Sequence, residues 1–234
     1  MPKFKYEGRD LEAMSQAKNY HTWILDIFSK YLGSKVAEIG AGSGTVTELL
    51  AKYPDIKEIV AVEPSIEMYP LLNAMMPHDK RIKKHNHFYG DISKQYQEYF
   101  DSMIYVNVFE HIEDVSIELK HIKSSLKPGG HLCVFVPALQ WLYAPHDASV
   151  GHFRRYHKND LKKLIEASGL KVVSIRYFDM VGIIPWLIFY KWFKKKMSGN
   201  DASAYDKLIV PILRLIDPIL PMPIGKNLIV IAKK

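Results

Sequence analysis

Residues 36–44 read Val-Ala-Glu-Ile-Gly-Ala-Gly-Ser-Gly, and this stretch decides the fold class. Its first four residues favour a buried strand, three alternating glycines follow, and residues 46–50 continue in a helical pattern. Glycines directly after a strand let the backbone turn sharply and approach a ligand closely, because a Cβ would collide with that ligand. The stretch therefore predicts a strand, a tight turn that faces a ligand, and a helix.

The same alternation of strand and helix continues along the chain. Predicted strands lie at residues 36–39, 59–62, 87–91, 102–108, 131–136, 171–178 and 228–232. Predicted helices lie at residues 11–32, 46–50, 66–75, 115–126 and 159–169, the last of them capped by Asn159 and closed by Gly169. Strands that alternate with helices indicate an α/β fold built on a doubly wound, mostly parallel sheet.

The composition is that of an ordinary globular domain. The chain has 234 residues, 48% of them hydrophobic, and a formal net charge of +7. Cys133 is the only cysteine, which excludes an intramolecular disulfide and a cysteine-based zinc site and leads us to expect a cytoplasmic location. The first residues lack the apolar core of a signal peptide, and no run reaches the roughly 20 apolar residues of a spanning helix, so we expect neither secretion nor membrane insertion.

The glycine spacing separates two classes of nucleotide-binding protein. A dinucleotide site would place its third glycine at position 45, which is Thr45, whereas Gly44 comes one residue earlier. Further motifs follow the predicted strands in order: Val62-Glu63-Pro64-Ser65, Gly90-Asp91-Ile92, Asn107-Val-Phe-Glu-His-Ile-Glu-Asp114 and Leu126-Lys-Pro-Gly-Gly130. Together with Glu38-x-Gly-x-Gly-x-Gly44, these motifs resemble the class I S-adenosylmethionine-dependent methyltransferases over residues 36–136.

The resemblance implies a Rossmann-like sheet of seven strands and S-adenosyl-L-methionine as the cofactor, with S-adenosyl-L-homocysteine as its product. It implies that Glu63 binds both ribose hydroxyls, since a carboxylate offers two acceptors to a vicinal diol, and that Asp91 holds the adenine amino group. The residues assigned to the cofactor in this way are Tyr20, Glu38, Gly40, Ala41, Gly42, Gly44, Glu63, Pro64, Ser65, Met68, Gly90, Asp91, Ile92, Asn107, Val108 and His111. His111 is an alternative candidate for a base, and Tyr20, His21 and Trp23 either close over the methionine end or pack in the core.

The same resemblance implies a single methyltransferase domain over residues 1–234, in which we distinguish three parts. Residues 1–33 would form an N-terminal helical cap, residues 34–136 the cofactor-binding core, and residues 137–234 the acceptor-side half. The acceptor-side half contains a hydrophobic helical insertion at residues 181–224, directly before the last predicted strand.

Polar and aromatic residues are dense at residues 137–158, as expected of a binding loop at the carboxyl end of a strand. The run Asp147-x-x-x-Gly-His-x-Arg-Arg-Tyr156 resembles a motif of bacterial small-molecule and lipid-pathway methyltransferases. Imidazoles titrate near neutral pH and guanidinium groups bind carboxylates or phosphates. The candidate catalytic residues are therefore His146, His152 and Tyr156, and the candidate acceptor-binding residues are Trp141, Tyr143, Arg154 and Arg155.

Two other interpretations of this loop stay open. His152, Arg154 and Tyr156 could instead hold the loop to the core by hydrogen bonds. His146, Asp147 and His152 could form a metal triad, but metal-dependent catechol-type members of the family place their ligands elsewhere, so no metal site is predicted.

Residues 181–224 contain apolar runs on both sides of Lys194-Lys195-Lys196, together with Trp186, Trp192 and Phe193. Aromatic and basic residues together anchor proteins at anionic membrane surfaces, so peripheral membrane contact is one interpretation of the insertion. The alternatives are a lid, a homodimer interface, and an ordinary helical cap that packs on the sheet. The oligomeric state is thus a monomer or a homodimer.

The function expected from these features is methyl transfer by in-line displacement to oxygen or nitrogen of a small-molecule acceptor, which is amphipathic or lipid-linked if the membrane prediction holds. The net charge of +7 raises a nucleic-acid methyltransferase as an alternative. Base-amino methyltransferases typically carry Asn/Asp-Pro-Pro-aromatic after the fourth strand, whereas residues 107–110 read Asn-Val-Phe-Glu, which disfavours nucleic acid as a partner. A non-catalytic module with the same fold is the remaining alternative.

Overall fold

A single mixed sheet organises the protein in the computed structural model, which describes residues 17–194, 199–217 and 223–234. Within these residues the strands are β1 (Lys35–Ile39), β2 (Glu58–Val62), β3 (Ile82–His85), β4 (Phe100–Val106), β5 (Leu126–Pro137), β6 (Lys171–Phe178) and β7 (Asn227–Lys233). They lie in the order β3-β2-β1-β4-β5-β7-β6, and β7 runs antiparallel to both of its neighbours. The prediction of a doubly wound, mostly parallel, seven-stranded sheet is confirmed.

Helices cover both faces of this sheet. They are α1 (Lys18–Phe28), α2 (Thr45–Leu50), α3 (Tyr69–Ala74), α4 (Tyr89–Ile92), α5 (Val115–Ser125), α6 (Pro145–Ser149), α7 (Lys158–Ala167), α8 (Ile183–Pro185), α9 (Gly199–Leu208) and α10 (Val210–Ile216). Short 3-10 turns lie at Ser29–Tyr31, Ser93–Tyr96, Phe109–His111 and Gln140–Leu142, and a π-helical segment at Trp186–Trp192 extends α8.

The core consists of two apolar layers, one on each face of the central strands. On one face, Trp23 of α1 packs against Phe178 with ring centroids 3.9 Å apart, next to Phe135 of β5. On the other face, Leu119 of α5 is fully buried in the cluster that contains Tyr105 of β4. Strands covered on both faces need continuous apolar sequence, which explains why the central strands could be predicted from composition.

The predicted third strand at residues 87–91 is wrong, since β3 lies at Ile82–His85 and Tyr89 begins α4. Residues 82–85 read Ile-Lys-Lys-His because β3 is an edge strand that pairs with β2 alone among the described strands and is only partly buried. Of the aromatic residues that suggested a strand, Phe88 lies directly before α4 and Tyr89 is the first residue of that helix. The side chain of Tyr89 is buried, which accounts for the apolar character of this stretch.

Several predicted boundaries also shift. Strand β4 ends at Val106 because Asn107 adopts a left-handed backbone conformation with φ +54°. Strand β5 already begins at Leu126, so the predicted turn at residues 127–130 belongs to the strand. Helix α7 begins at Lys158 and is flanked by His157, so Asn159 lies inside the helix and does not cap it.

The insertion lies between β6 and β7 and docks on the leading helix α1. Asp206 of α9 accepts hydrogen bonds from the backbone N–H groups of Tyr20 at 2.8 Å and Asn19 at 3.1 Å. These are first-turn amides of α1, which a carboxylate satisfies well. The predictions for residues 11–16, 195–198 and 218–222 lie outside the described residues. Among the described helices, none combines the length and the apolar character that crossing a bilayer requires.

Candidate active site

The loop between β1 and α2 can be built only with glycine. Gly40, Gly42 and Gly44 all have positive φ, at +72°, +56° and +92°. A Cβ on Gly40 would lie 2.5 Å from Cγ2 of Val108, in the loop after β4. The N–H of Gly40 donates to the carbonyl of Val62 at 2.8 Å, which fixes the loop against the end of β2. The loop therefore presents bare backbone at the carboxyl ends of neighbouring strands.

Glu63 follows β2 and is buried beside this loop. One carboxylate oxygen accepts from the N–H of Gly42 at 2.7 Å and the other from the N–H of Ser65 at 2.8 Å. Burial raises the pKa of the Glu63 carboxyl, although the two backbone hydrogen bonds oppose that rise. The carboxylate is thus held in one orientation, and each oxygen keeps a lone pair for a ligand.

Glu38, at the end of β1, is also buried and accepts a hydrogen bond from the Thr47 hydroxyl. Burial raises the pKa of the Glu38 carboxyl to about 8, and the nearby charge of Glu63 adds to the rise. A carboxyl with such a pKa is largely protonated at neutral pH. A cationic ligand group beside it would favour the ionised form.

One cavity of about 750 Å³ runs from the glycine loop along the carboxyl ends of the strands. A cavity of this size is typical of sites for small ligands, and its position is the usual one in open α/β sheets. Of the predicted site residues, those that line it are Tyr20, Glu38, Gly40, Ala41, Gly42, Glu63, Pro64, Asn107, Val108, His111, His146, His152 and Arg155. Those that do not line it are Gly44, Ser65, Met68, Gly90, Asp91, Ile92, Trp141, Tyr143, Arg154 and Tyr156.

Asp91 is the clearest displacement among the predicted cofactor residues. It lies exposed in α4, because the strand predicted to end there lies earlier in the chain. His87, Phe88 and Tyr89 line that part of the cavity instead.

Three of the four predicted loop residues that do not line the cavity hold the loop in place, whereas Trp141 is half exposed. Tyr156 donates from its hydroxyl to the carbonyl of Phe109 at 2.9 Å, and Tyr143 donates to the carbonyl of His152 at 2.6 Å. Arg154 donates to the carbonyl of Glu113 at 2.8 Å. These contacts favour the anchoring interpretation for Tyr143, Arg154 and Tyr156.

Asp147 is fully buried and contacts two residues that the sequence analysis assigned to catalysis or acceptor binding. It pairs with the Nδ1 atom of His152 at 2.8 Å and accepts from the Nε atom of Arg155 at 3.0 Å. Burial alone would raise the pKa of the Asp147 carboxyl, but His152 and Arg155 outweigh it and hold the pKa below its usual range. The guanidinium of Arg155 also lies 4.3 Å from the ring centroid of Trp186. The ion pair is therefore buried and fixed, with the other imidazole nitrogen of His152 turned away from Asp147.

The cavity wall also contains residues that the sequence did not indicate. Tyr20, Tyr205 and Lys226 line the cavity and donate to the fully buried Asp179 at 3.0, 2.5 and 3.1 Å. The unpredicted lining residues also include Phe135, Gly182, Pro185, Trp186, Phe189, Tyr190, Asp206, Leu208, Ile209 and Asn227. Only the tertiary position of the insertion, beside α1 and the start of β7, brings them together.

The strand order and the glycine loop at the mouth of β1 define the Rossmann-like class I methyltransferase fold, which solved structures share. The chain is similar to a SAM-dependent methyltransferase from Archaeoglobus fulgidus, with a TM-score of 0.61 and 18% identity over 90% of this chain and 91% of that chain. It is also similar to phosphoethanolamine N-methyltransferase 2 of Haemonchus contortus in complex with S-adenosyl-L-methionine, with a TM-score of 0.60 and 16% identity over 91% of this chain and 52% of that one.

Residues 8–175 match a family described as a methyltransferase domain, and the chain belongs to that family. An uncharacterized methyltransferase of Schizosaccharomyces pombe (strain 972 / ATCC 24843) is 27% identical over 106 residues, which are 42% of this chain and 38% of that protein. The chain thus matches less than half of the length of this curated relative. Family membership confirms the resemblance drawn from residues 36–136.

Proposed function

We propose that this chain is an S-adenosylmethionine-dependent methyltransferase that methylates oxygen or nitrogen of a small amphipathic acceptor. The observation that carries the proposal is that one cavity joins the glycine loop and Glu63 to an aromatic, histidine-containing end. Direct transfer between two bound molecules requires that the cofactor and the acceptor bind next to each other, and one continuous cavity allows this.

The cofactor end fits the cofactor's chemistry. Gly40 lines the cavity at φ +72°, and the lack of a side chain leaves its backbone accessible to a nucleoside. Glu63 offers two fixed carboxylate oxygens to a ribose diol. Glu38, with its raised pKa, lies in the same wall and would be ionised by the positive charges of the methionine moiety.

When bound, S-adenosylmethionine supplies a methyl group on a positively charged sulfur, which keeps the bonding electron pair as the acceptor's lone pair forms the new C–O or C–N bond. The protein's part is to align the acceptor and exclude water, and the rings of Trp186 and Tyr190 wall the acceptor end. A protonated acceptor also loses a proton, and the imidazoles of His146 and His152 lie at this end of the cavity.

The rim of the cavity supports an acceptor with an apolar part. Phe189 and Leu208 both line the cavity and are 47% and 68% exposed. Further exposed apolar side chains of the insertion are Ile184, Trp192, Phe193, Ile212 and Leu215, and basic ones near them in the chain are Lys191, Lys194, Lys207 and Arg214. We propose that this surface, the apolar-basic rim, contacts an anionic membrane from which a lipid-like acceptor enters the cavity.

Calorimetric titration tests the cofactor assignment. We expect micromolar binding of S-adenosylmethionine and S-adenosylhomocysteine and no binding of NAD. Absence of binding by both sulfur compounds in folded protein would refute the proposal and favour a non-catalytic module.

Sedimentation with vesicles that contain anionic lipid tests the apolar-basic rim. Trp192→Ala/Phe193→Ala should bind vesicles at least about tenfold more weakly than the unchanged protein, because interfacial aromatic side chains supply much of the anchoring. The matched control is Ile117→Ala, which removes an exposed apolar side chain from α5. Absence of vesicle binding by the unchanged protein would refute membrane contact, and equal binding by all three proteins would refute the role of the apolar-basic rim in it. A concentration-dependent dimer lost only in the double variant would assign the rim to a homodimer interface.

A further inference from the structure

Glu110 presents an unusual buried carboxylate beside the acceptor end of the cavity. It lies in the 3-10 turn after β4, and its side chain is 0% exposed. Neither carboxylate oxygen has a hydrogen-bond partner among the described residues. A buried polar group without partners is costly, so native proteins rarely retain one unless a bound group completes it.

Two imidazoles lie next to this carboxylate. The Nε2 atom of His152 is 3.9 Å from Oε1 of Glu110, and the ring centroids of His111 and His152 are 4.7 Å apart. One donor atom from each of the three side chains lies within 4.8 Å of the other two. His111 and His152 also line the cavity, so this cluster adjoins the space proposed for the acceptor.

Backbone hydrogen bonds bring the cluster together from distant parts of the chain. The N–H of Phe153 donates to the carbonyl of Glu110 at 2.8 Å, and the hydroxyl of Tyr156 donates to the carbonyl of Phe109 at 2.9 Å. The loop that carries His152 is therefore fixed on the turn that carries Glu110 and His111. Such a supported arrangement keeps the three side chains close to one another without a ligand.

The outer contacts of both imidazoles match those of metal ligands. Nδ1 of His152 pairs with the buried carboxylate of Asp147 at 2.8 Å, and the ring of His111 hydrogen bonds to the backbone of Gly151. Metal-binding histidines almost always use their second nitrogen in this way, which fixes the ring and selects the ligating nitrogen. Arg155 already pairs with Asp147 at 2.9 Å, and a cation bound at the cluster would favour the ionised form of Glu110.

We propose that Glu110, His111 and His152 bind a divalent transition-metal ion at the acceptor end of the cavity. One carboxylate and two imidazoles suit Zn²⁺, Fe²⁺, Mn²⁺ or Co²⁺ and leave coordination positions open toward the cavity. Bonds of about 2.1 Å require donor atoms about 3.0–3.4 Å apart, so the side chains must close by about 1 Å, which small rotations of three side chains supply.

The ion deepens the proposed function and rests on it. A divalent cation at this position stabilises an anionic oxygen of the acceptor and so lowers the pKa of a hydroxyl group. The inference therefore narrows the acceptor to a hydroxyl compound, methylated on oxygen, whose proton is lost to solvent or a neighbouring base. The sequence alone predicted no metal site. It could not reveal this cluster, because Glu110 and His152 are far apart in the chain and meet only in the folded protein.

Titration of the chelator-treated full chain with Co²⁺ tests the site, with visible absorption as the readout. The unchanged protein should bind one Co²⁺ per chain and develop the absorption of an ion bound by nitrogen and oxygen ligands. Glu110→Gln and His152→Gln should each weaken binding at least about 100-fold. The matched control is His146→Gln, which alters an imidazole of the same cavity outside the cluster and should leave Co²⁺ binding unchanged.

Absence of Co²⁺ binding by the unchanged protein, or Co²⁺ binding by Glu110→Gln and His152→Gln as tight as that of the unchanged protein, would overturn the metal site. Circular dichroism confirms that each variant is folded, and His111→Gln replaces any variant that is not. Calorimetry with S-adenosylmethionine on the same metal-free protein separates the two proposals. Cofactor binding without Co²⁺ binding refutes the metal site alone, whereas Co²⁺ binding without cofactor binding refutes the methyltransferase proposal.

Discussion

Replacing Glu63 with glutamine tests the assignment of the cofactor end. The carboxylate is held by the N–H groups of Gly42 and Ser65 at 2.7 and 2.8 Å. Glutamine keeps the size of the side chain but offers one acceptor oxygen in place of two. One of the two N–H groups then faces an amide NH₂, and a ribose diol loses one charged acceptor.

The expected loss can be worked from these contacts. A hydrogen bond to a charged group contributes about 1.5–3 kcal/mol, which corresponds to about 10- to 150-fold in the dissociation constant. The free energy of unfolding should change less, because burial raises the pKa of Glu63 and glutamine avoids the cost of burying its charge. The substitution therefore separates ligand binding from stability.

Calorimetry with S-adenosylhomocysteine measures the effect, and thermal unfolding checks that the variant is folded. The matched control is Glu48→Gln, because Glu48 is a partly exposed carboxylate of α2 that does not line the cavity. A dissociation constant for Glu63→Gln within twofold of the unchanged protein would refute the ribose assignment. An equal loss in Glu48→Gln would mean that net charge, and not a specific contact, governs affinity.

Two further predictions concern the glycine loop and its neighbour. Gly40→Ala should lower the free energy of unfolding, measured by chemical denaturation, by about 2–4 kcal/mol. The new Cβ would lie 2.5 Å from Val108, and Gly40 has a φ of +72°, which alanine adopts only with strain. Adding Val108→Ala should restore part of the lost stability, because it removes the contact. Burial raises the pKa of Glu38 to about 8, so the folded state holds the proton of this carboxyl more tightly than the unfolded state does. The contribution of Glu38 to the free energy of unfolding is therefore greatest below the unfolded pKa of about 4.5, and it is lost as the pH rises from there through about 8. The difference in unfolding free energy between the unchanged protein and Glu38→Gln should change by up to about 1.4 kcal/mol per pH unit over this range, and a difference independent of pH would contradict the assignment.

The sequence was sufficient to predict the central sheet because buried parallel strands are apolar throughout. Residues 36–39 and 59–62 show this, as each lies in a buried parallel strand with nearly the predicted bounds. Strand β3 was missed because an edge strand needs no such pattern. An apolar pattern thus indicates that a segment is buried, and it identifies a strand only where the strand is itself buried.

The sequence was sufficient to locate most of the residues that we propose for the cofactor, whereas the cavity wall that we propose for the acceptor largely could not be predicted. Gly40 and Glu63 lie at fixed offsets from strands that the pattern locates, so their positions follow from local sequence. Asp179 and Lys226 meet only because β7 lies beside β6 in the sheet, and Glu110 meets His152 only because a loop docks on a turn. Such contacts depend on tertiary structure, which one sequence does not encode at any fixed spacing.

The place of β7 in the sheet bears on how the protein is made. Residues 227–233 are the last strand in chain order, yet they lie between β5 and β6 and bond to both. During synthesis, strands β1 to β5 can already pair with one another, because they form the continuous part β3-β2-β1-β4-β5 of the sheet. Strands β5 and β6 keep unpaired edges until β7 emerges from the ribosome. Lys226 and Asn227, which line the cavity, enter with that strand. The cavity wall that we propose for the acceptor is therefore incomplete until β7 has joined the sheet.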